Sequence, residues 1–390
     1  MANGNVLILG AGVAGATTAW LLQRAGYAIT CIDGGARYDA LEAAPVAILR
    51  LFDAVGLSHV AAEVSRPVRG FGGGDFLIYS RAALVAALRR SAAAVGVAFV
   101  PKRNFVPGVP SIDFRIDASG RTAAWSRPLQ RFNIGVADVF RAPTRRPGAQ
   151  FIDAGDHWAY LLDDGQTRTI GVVGPRRARS KCLPPNWAEA FAMPPAEASL
   201  TARCLASAQW TTRPVDGRRL SVGDAAFAHE PLAGQGIRFA LACALAATAT
   251  VRTLLERPEQ ADAARTYYAD LVAAERDHHL SYLRGDVFDA PATNPGAYGH
   301  DLIRFVGEWK STPMVVAGFI EAHPALHLPD GRTTRWVGGV DTKILADVAD
   351  RATTVAMAQR RLQDRGLSSA AARALISWGI AQGVLSHHLA

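Results

Sequence analysis

The stretch that decides the fold is residues 6–33, VLILGAGVAGATTAWLLQRAGYAITCID, close to the start of the chain. Residues 6–9 form a short apolar run, the pattern of a strand buried on both faces of a parallel sheet. Gly10, Gly12 and Gly15 follow with the spacing Gly-x-Gly-x-x-Gly. In this spacing the first glycine permits a tight turn, the second lets the backbone approach a pyrophosphate, and the third permits close packing of a helix on the strand.

The rest of the stretch completes a β-α-β unit. Residues 16–24 predict a helix that Gly26 ends, and residues 29–32 predict the next strand. Asp33 then arrives at the distance expected of the acid that holds ribose hydroxyls. The helix start, with Ala14 beside it, directs unpaired N–H groups and the positive end of its dipole towards phosphates. Because strand, helix and acid all agree with the glycines, the sequence predicts that an adenine dinucleotide binds here.

A second motif follows much later in the chain. Residues 222–226, VGDAA, precede residues 231–237, PLAGQGI, and an apolar helix predicted over residues 238–255. The pattern resembles the second flavin-contacting motif of the FAD-dependent aromatic hydroxylases and the related flavin-dependent halogenases. This resemblance implies that Asp224 holds the ribityl chain of FAD, and that the loop offers backbone N–H groups to a reduced flavin. The loop residues that would contact the flavin are Pro231, Gly234, Gln235, Gly236 and Ile237.

Two further segments resemble the same family. Residues 79–81, YSR, lead into a predicted helix as its Arg-x-x-Leu helix start does, which puts Arg81 near the cofactor. Residues 115–121, RIDASGR, resemble the strand end that closes the FAD site, with Gly120 among the contacts. The resemblance covers about residues 5–285, and its motifs occur in family order. It implies an α/β fold with a Rossmann-like FAD-binding domain of the p-hydroxybenzoate hydroxylase and halogenase type.

The order of these patterns predicts three domains. A discontinuous FAD-binding domain takes residues 1–125 and 216–285, and an inserted β-sheet substrate domain takes residues 126–215. Strand patterns in the insert include a hairpin formed by residues 157–162 and 168–173. Three aromatic side chains there either line a pocket or form the core of the sheet, and the core is the favoured interpretation. They are Trp158, Tyr160 and Trp210.

The last predicted domain is a small helical one, residues 291–390. Its position after the FAD motifs allows a role as a cap, in oligomerisation or in docking a partner. Helical patterning occurs over residues 303–319, 343–350, 353–364 and 368–385.

The composition is that of an ordinary globular enzyme. The chain has 390 residues, of which 49% are hydrophobic and 19% charged, enough to bury a large core. The apolar stretch 239–251 is too short to span a bilayer, so a buried helix is expected and no membrane association. Because a predicted strand begins almost at Met1 and the four cysteines are scattered, we expect no signal peptide and a cytoplasmic, reducing location. The pairs His278/His279 and His387/His388 have no third ligand at metal-binding spacing, so no metal site is expected.

The formal net charge of +8 bears on possible partners. Basic residues are spread along the chain, apart from clusters at residues 141–146 and 176–181. This distribution favours solvated loops and arginines that hold phosphates or an anionic substrate, with a surface for an acidic protein as the alternative. No aromatic and basic module for nucleic acid is present in the sequence. The oligomeric state stays open.

The branch of the family decides the chemistry. The hydroxylases reduce FAD with NADH or NADPH, form a flavin hydroperoxide and pass oxygen to an electron-rich ring such as an indole or a phenol. The halogenases divert the hydroperoxide with chloride and use a lysine beside the substrate, but no lysine lies in the strand before Arg81. Ala233 also stands where the halogenase loop Glu-Pro-Leu-Glu-Ser has its catalytic glutamate. The pocket is therefore predicted to be hydroxylase-like on a halogenase-like frame. Ser119 replaces an acid that many hydroxylases carry, so the docking of NADH or NADPH stays open.

This mixture resembles the flavoprotein monooxygenases that mature tryptophylquinone cofactors by hydroxylating a tryptophan in a partner polypeptide. A free indole or phenol is the simpler substrate. Ring hydroxylation needs a group that accepts a proton, and His229 and Glu230, just before the flavin loop, are the first candidates. Glu230 has a structural role as its alternative, and His157 is a further candidate. Two other classes of function remain open: an FAD reductase similar to the prenyl-chain reductases, and a non-catalytic FAD-bound chaperone.

Overall fold

The structure is a computed structural model that divides into two compact units, Met1–Leu280 and Ser281–Ala390. It describes residues 3–35, 39–69, 75–104, 111–126, 129–132, 135–154, 157–175, 182–231, 235–284, 302–337 and 340–388.

The elements of the first unit follow the alternation expected of an α/β protein. The strands are β1 (Asn5–Leu9), β2 (Ala28–Asp33), β3 (Leu41–Pro45), β4 (Ser65–Arg69), β5 (Asp75–Ser80), β6 (Ala98–Pro101), β7 (Phe114–Asp117), β8 (Leu129–Phe132), β9 (Gly135–Ala142), β10 (Gly148–Asp153), β11 (Trp158–Asp163), β12 (Arg168–Pro175), β13 (Ser199–Leu205), β14 (Ala208–Thr211), β15 (Val215–Asp216), β16 (Arg219–Ser221) and β17 (Phe227–Ala228). The helices are α1 (Val13–Arg24), α2 (Leu49–Ala54), α3 (Ser58–Val64), α4 (Arg81–Ala94), α5 (Pro185–Ala190), α6 (Gln235–Glu256) and α7 (Ala261–Arg284).

A six-stranded sheet in the order β15-β16-β7-β1-β2-β6 carries the nucleotide-binding motif. From β16 to β6 its strands pair in parallel, and Leu7 of β1 lies between Thr30 and Arg115. Strand β1 is short and buried at Val6, Leu7 and Ile8, as the apolar run predicted. Helix α1 begins at Val13, three residues before the predicted start, because the turn at the glycines already leads into it. The predicted α/β class with a parallel sheet is confirmed.

A five-stranded antiparallel sheet in the order β10-β11-β12-β9-β13 forms the second layer of this unit. The predicted hairpin is present, with β11 paired to β12 and Trp158 opposite Val173. Because side chains alternate along a strand, Ala159 and Leu161 share one face of β11 and pack in a core with Trp187 of α5. Trp158 and Tyr160 alternate with these residues and therefore lie on the opposite face of β11. The domain boundaries proposed within this unit stay a prediction.

Helix α6 is the longest apolar segment. Among the described helices, α6 alone has the length of a membrane span and an 18-residue window apolar enough for one. Yet 61% of that window is buried inside the structure. Leu241, Ala244 and Val251 are fully enclosed in the protein, so the helix has its apolar partners within the chain. The predicted buried helix is confirmed.

The second unit mixes strands and helices around its own core. Its elements are β18 (Leu302–Phe305), β19 (Glu308–Val316), β20 (Phe319–His327), β21 (Thr333–Thr334), β22 (Trp336–Val337), β23 (Val340–Asp341), α8 (Lys343–Ala349), β24 (Thr353–Thr354), α9 (Val355–Asp364), α10 (Ser369–Ala381) and β25 (Leu385–His388). The helices that were predicted after residue 343 are present. They pack Leu345, Leu362 and Leu375 against Ile303 of β18. Of the helical domain predicted over residues 291–390, the described residues are therefore helical only from Lys343 onward.

The helix predicted over residues 303–319 is wrong, because this segment forms β18, β19 and the turn into β20. Val316 pairs with Phe319, which leaves a loop of two residues, Ala317 and Gly318. Both have positive φ, 50° and 82°, as in a type I′ turn whose twist matches that of the strands. Alanine is an unusual residue for the first of these positions, so the sequence lacked the Asn-Gly signal that would have indicated a hairpin.

Candidate functional site

A cavity of about 500 Å³ lies within the first unit. One side is the carboxyl edge of the parallel sheet, where Gly12, Ala118 and Val222 follow strands β1, β7 and β16. The other side is the five-stranded sheet, whose strand β11 presents Trp158 and Tyr160. This volume is typical of sites for cofactors and drug-sized ligands, and ligands of open α/β sheets bind at the carboxyl edge.

The glycines of the first motif fit the roles that their spacing predicted. Gly10 has φ of 111°, and a Cβ there would lie 2.1 Å from the carbonyl oxygen of Ala118. A Cβ on Gly15 would lie 2.0 Å from the carbonyl oxygen of Gly10, so helix and strand touch through backbone. A Cβ on Gly12 would meet nothing within 4 Å, and Gly12 borders the cavity. The space beside Gly12 and the start of α1 therefore suit a pyrophosphate.

The predicted flavin-contacting residues converge on the same cavity. Gly223, with φ of 60°, brings the following Asp224 against the first motif, since a Cβ on Gly223 would lie 2.5 Å from the Cβ of Ala14. This close approach explains why position 14 carries a small side chain. The predicted contacts that border the cavity are Ala14, Gly120, Asp224, Pro231, Gln235, Gly236 and Ile237. Gly234 lies outside the described residues.

Arg81 and Asp33 occupy different places. Arg81 begins α4, pairs with Glu42 at 2.8 Å and borders the cavity. Asp33 ends β2 and does not border this cavity. Its carboxylate accepts the N–H of Gly35 at 3.0 Å and pairs with Arg89 at 2.9 Å. The ribose contact of Asp33 stays a prediction, and a ribose hydroxyl there would have to share the carboxylate with Arg89.

An aromatic wall of Phe151, Trp158 and Tyr160 faces the cavity. The ring centroids of Phe151 and Trp158 are 5.6 Å apart, and those of Trp158 and Tyr160 are 5.9 Å apart. Trp158 is only 9% exposed, so it belongs to the sheet core and to the cavity at once. Trp210 is elsewhere, with its indole N–H donating to Gln130 at 2.8 Å. The sequence favoured a core over a pocket for these rings, and the structure gives both roles to the two rings on β11.

His229 is buried at the edge of the cavity and paired with a carboxylate. Its Nε2 lies 2.6 Å from Oε1 of Glu275 on α7, and its side chain is 3% exposed. Glu275 also accepts a hydrogen bond from Arg238 of α6. Burial acts to raise the pKa of Glu275, but the hydrogen bonds from His229 and Arg238 outweigh it and lower the pKa to about 2. Glu275 is therefore ionised at neutral pH.

A second histidine, His279, completes this cluster. Its ring centroid is 4.9 Å from that of His229, and its Nε2 accepts the backbone N–H of Glu230 at 3.1 Å. Burial lowers the pKa of His279 to about 4, and the nearby His229 acts in the same direction. The hydrogen bond fits this, because only an unprotonated Nε2 can accept.

Glu230 borders the cavity beside the aromatic wall. Burial raises the pKa of its carboxyl, whereas a hydrogen bond from Trp158 and the charge of Arg121 act to lower it. Both Glu230 and Trp158 border the cavity, so Glu230 lies at the aromatic wall of the five-stranded sheet.

Arg121 ties the strands around the site together. It donates to the carbonyl oxygens of His229 and Ser207, and its Nε lies 3.9 Å from Asp224. From the sequence, Arg121 was identified only as the last residue of the motif at residues 115–121. The sequence analysis assigned no role to Glu275 or Arg238 and considered His279 only as a metal ligand. Helix α7, which carries Glu275 and His279, is far from the motifs in sequence and gave no local signal.

His157 does not join this cluster. It is buried next to β11 but does not border the cavity, and a Cβ on Gly174 would lie 2.1 Å from its ring. Its part in catalysis stays a prediction without support from this arrangement. Within the described part of the chain no group of three histidine, cysteine or acidic residues is arranged to hold a metal ion.

The fold is that of the flavin-dependent halogenases and FAD-dependent monooxygenases. The chain is similar to QhpG, a peptidyl tryptophan dihydroxylase essential for tryptophylquinone cofactor biogenesis, at 22% identity and a TM-score of 0.67, over 97% of this chain and 99% of that one. It is similar to the flavin-dependent halogenase CmlS at 16% identity and a TM-score of 0.69, over 99% and 96%. Similarity to PqsL, a probable FAD-dependent monooxygenase from Pseudomonas aeruginosa, is 17% with a TM-score of 0.55, over 72% and 94%. Neither models of protein families nor curated protein sequences match the chain.

Proposed function

We propose that this chain is an FAD-dependent monooxygenase that hydroxylates an electron-rich aromatic ring, an indole or a phenol. The observation that carries the proposal is that one cavity joins the glycine cradle at Gly12 to the aromatic wall on β11. A dinucleotide cofactor and a flat aromatic substrate would share this cavity, with His229 and Glu230 at its edge. NADH or NADPH would supply the electrons.

The residues that would hold FAD are those that border the cavity on the side of the parallel sheet. Gly12 and the start of α1 would hold the pyrophosphate, Asp224 the ribityl chain, and Gln235 and Gly236 the isoalloxazine. Bound and reduced, FAD would activate molecular oxygen, so that one oxygen atom enters the ring and the other leaves as water. The protein's own contribution is to hold the ring, exclude water and accept the proton that the hydroxylated carbon releases.

His229 is the proton acceptor that the geometry favours. It is a buried imidazole at the cavity, held by an ionised carboxylate. Glu230 instead borders the cavity together with Trp158, and Trp158 acts to lower the pKa of its carboxyl, which supports a role in orienting the wall.

We further propose that the substrate is the indole of a tryptophan residue in a partner polypeptide. The similarity to QhpG extends over 97% of this chain, and so includes the second unit, whereas the similarity to PqsL covers 72%. The match to CmlS also includes this unit, so the support for a polypeptide substrate is that QhpG itself is a peptidyl tryptophan dihydroxylase. A free indole or phenol is the alternative, and the same experiment separates the two.

The test uses the FAD-loaded protein, NADH or NADPH, and isotopically labelled oxygen. A tryptophan-bearing peptide, free indole and free phenol are supplied in parallel, and mass spectrometry follows the label. We expect one labelled oxygen in the peptide and little in the free compounds. Efficient labelling of the free compounds alone would overturn the polypeptide substrate, and consumption of NAD(P)H with no label in any of them would remove the support for a monooxygenase.

A variant locates the proton acceptor. His229→Gln should lower the rate of labelling by ~100-fold or more, the usual contribution of a positioned base. The matched control is His59→Gln, because His59 is an exposed histidine that bonds Ser91 and lies outside the cavity. Equal rates in the two variants would exclude His229 as the base.

A flavin-dependent halogenase is the second candidate, favoured by the similarity to CmlS over 99% of this chain. Against it stand Ala233 in place of a glutamate and the lack of a lysine in the strand before Arg81. Chloride or bromide added to the same assay decides between them. A halogenated ring as the main product would replace the monooxygenase proposal.

A further inference from the structure

The two ring nitrogens of His229 have different surroundings. Nε2 lies 2.6 Å from a carboxylate oxygen of Glu275, whereas Nδ1 is buried with no hydrogen-bond partner in the described part of the chain. An ionised carboxylate can only accept a hydrogen bond, so Nε2 must carry a proton. In the neutral ring, Nδ1 is then the unprotonated nitrogen, because a second group that binds one nitrogen fixes the tautomer.

The same carboxylate reaches the residues beside the flavin site. Arg238 donates through Nη2 to Glu275 and through Nε to the side-chain oxygen of Gln235. Gln235 borders the cavity at the first turn of α6. Glu275 thus links a helix distant in sequence, α7, to both the base and the proposed flavin-binding residues.

The other groups around His229 do not accept a hydrogen bond from its Nε2. Phe227 and Phe239 contact the ring edge to face, with centroids 4.5 Å and 5.4 Å away. His279 is neutral over most of the pH range because burial lowers its pKa to about 4, and its Nε2 is occupied by the N–H of Glu230. Arg121 binds the carbonyl oxygen of His229 and leaves the ring free. Among these neighbours Glu275 alone can accept the proton on Nε2.

We propose that Glu275 is a positioning residue that fixes His229 in the tautomer with an unprotonated Nδ1 and, through Arg238 and Gln235, connects this base to the flavin-binding side of the cavity. The purpose of the arrangement rests on the proposed monooxygenase function. The tautomer and the connection are properties of the chain and can be measured without turnover. The ring nitrogen left without a proton is then Nδ1, which is buried.

The tautomer is measured by nitrogen NMR of the full-length protein with labelled histidine, with and without FAD, and His229→Gln assigns the signal. We expect the wild-type ring at neutral pH to carry its proton on Nε2. In Glu275→Gln the amide can donate as well as accept, so this tautomer should lose its dominance. Asp277→Asn, which removes an exposed carboxylate two residues further along α7, should leave it unchanged. A wild-type ring protonated on Nδ1, or an unchanged tautomer in a folded Glu275→Gln, overturns the proposal.

The connection to the flavin side is measured by titrating the protein with FAD. Glu275→Gln should weaken binding by ~10-fold, because a hydrogen bond to a charged group is typically worth this much. Arg238→Gln keeps the pair of His229 and Glu275, so it should weaken FAD binding while leaving the tautomer unchanged. Wild-type affinity in both variants would overturn the connection. Circular dichroism of each variant separates these results from a failure to fold, and the wild-type tautomer is decisive even if Glu275→Gln does not fold.

The outcome is separable from that of the proposed function. A chain that shows the expected tautomer but transfers no oxygen keeps the role of Glu275 and loses the monooxygenase. A chain that transfers oxygen with His229 in the other tautomer keeps the monooxygenase and loses this role.

Discussion

Two glycines separated by a single residue serve opposite purposes in this chain. Gly10 is required by the protein's own packing, since its φ is positive and a Cβ would overlap the backbone of Ala118. Gly12 has free space beyond its Cα and borders the cavity, so nothing in the protein itself demands a glycine there. The requirement at Gly12 must then come from a ligand that approaches the backbone.

This contrast gives a matched pair of variants. Gly12→Val should leave the melting temperature of the FAD-free protein nearly unchanged and weaken FAD binding by at least ~10-fold, as one lost charged contact would. Gly10→Ala should destabilise the FAD-free protein by ~1–3 kcal/mol, the cost of a strained backbone conformation. Thermal unfolding and flavin fluorescence titration check both. Normal FAD affinity in Gly12→Val would mean that the cofactor does not pass this glycine.

Titration of His279 predicts a pH dependence of stability. Its pKa falls from 6.5 to about 4 on folding, so the unfolded chain takes up this proton at higher pH than the folded one. The stability from a neutral His279 is complete above pH 6.5 and is lost as the pH falls towards 4, with a slope of at most ~1.4 kcal/mol per pH unit. Urea unfolding of the wild type and of His279→Asn, measured across this range, should give a flatter slope for the variant. His59→Asn is the control, because His59 is an exposed histidine that bonds Ser91, so its replacement should leave the burial of His279 and the slope unchanged.

At the scale of elements, a glycine on strand β12 leaves room for the ring of Tyr160 in the aromatic wall. Gly171 lies opposite Tyr160 in the sheet, and a Cβ there would lie 2.1 Å from the tyrosine ring. The ring therefore occupies the space that a side chain at position 171 would fill. Gly174, further along the same strand, makes equal room for His157, which does not border the cavity.

The two positions form a matched test of the wall. Gly171→Ala and Gly174→Ala should each destabilise the protein by ~1–3 kcal/mol through overpacking. Gly171→Ala should also raise the KM for the aromatic substrate, because Tyr160 must move, while Gly174→Ala should leave it unchanged. Steady-state kinetics and urea unfolding check the pair. A raised KM in both variants would point to a general disturbance of the sheet rather than to the wall.

How much could be predicted from the sequence also depends on the scale of the elements. The β-α-β unit was predictable because glycine spacing, apolar strand and acid are local signals that agree with one another. The hairpin of β19 and β20 was not, since a turn of Ala317 and Gly318 lacks the usual residues. The role of Glu275 could not be predicted from the sequence for a different reason. Its partners, His229 and Arg238, come close only after α6 and α7 have packed, and no sequence spacing encodes that contact.

For the whole molecule, the division into two units has a thermodynamic consequence. Ile303, Leu345 and Leu375 form a core inside the second unit, separate from the core of the first. Units with separate cores can unfold in separate steps, and a ligand stabilises only the unit that binds it. Scanning calorimetry should therefore show two transitions, with FAD raising the one that belongs to Met1–Leu280. A single transition, or equal shifts of both, would contradict this.

The aromatic wall also limits how long the protein would stay active during turnover. Trp158 and Tyr160 are themselves electron-rich rings on the surface of the cavity where oxygen would be activated. When no substrate fills the cavity, activated oxygen would react with these two rings instead. The oxidised protein would then gradually lose activity. Turnover with NADH in the absence of substrate should therefore place an oxygen atom on the peptide that contains Trp158, in step with the loss of activity, as peptide mass spectrometry would reveal. Trp158→Phe should retain activity for longer than the wild type under these conditions. Equal rates of inactivation would show that inactivation starts at another residue.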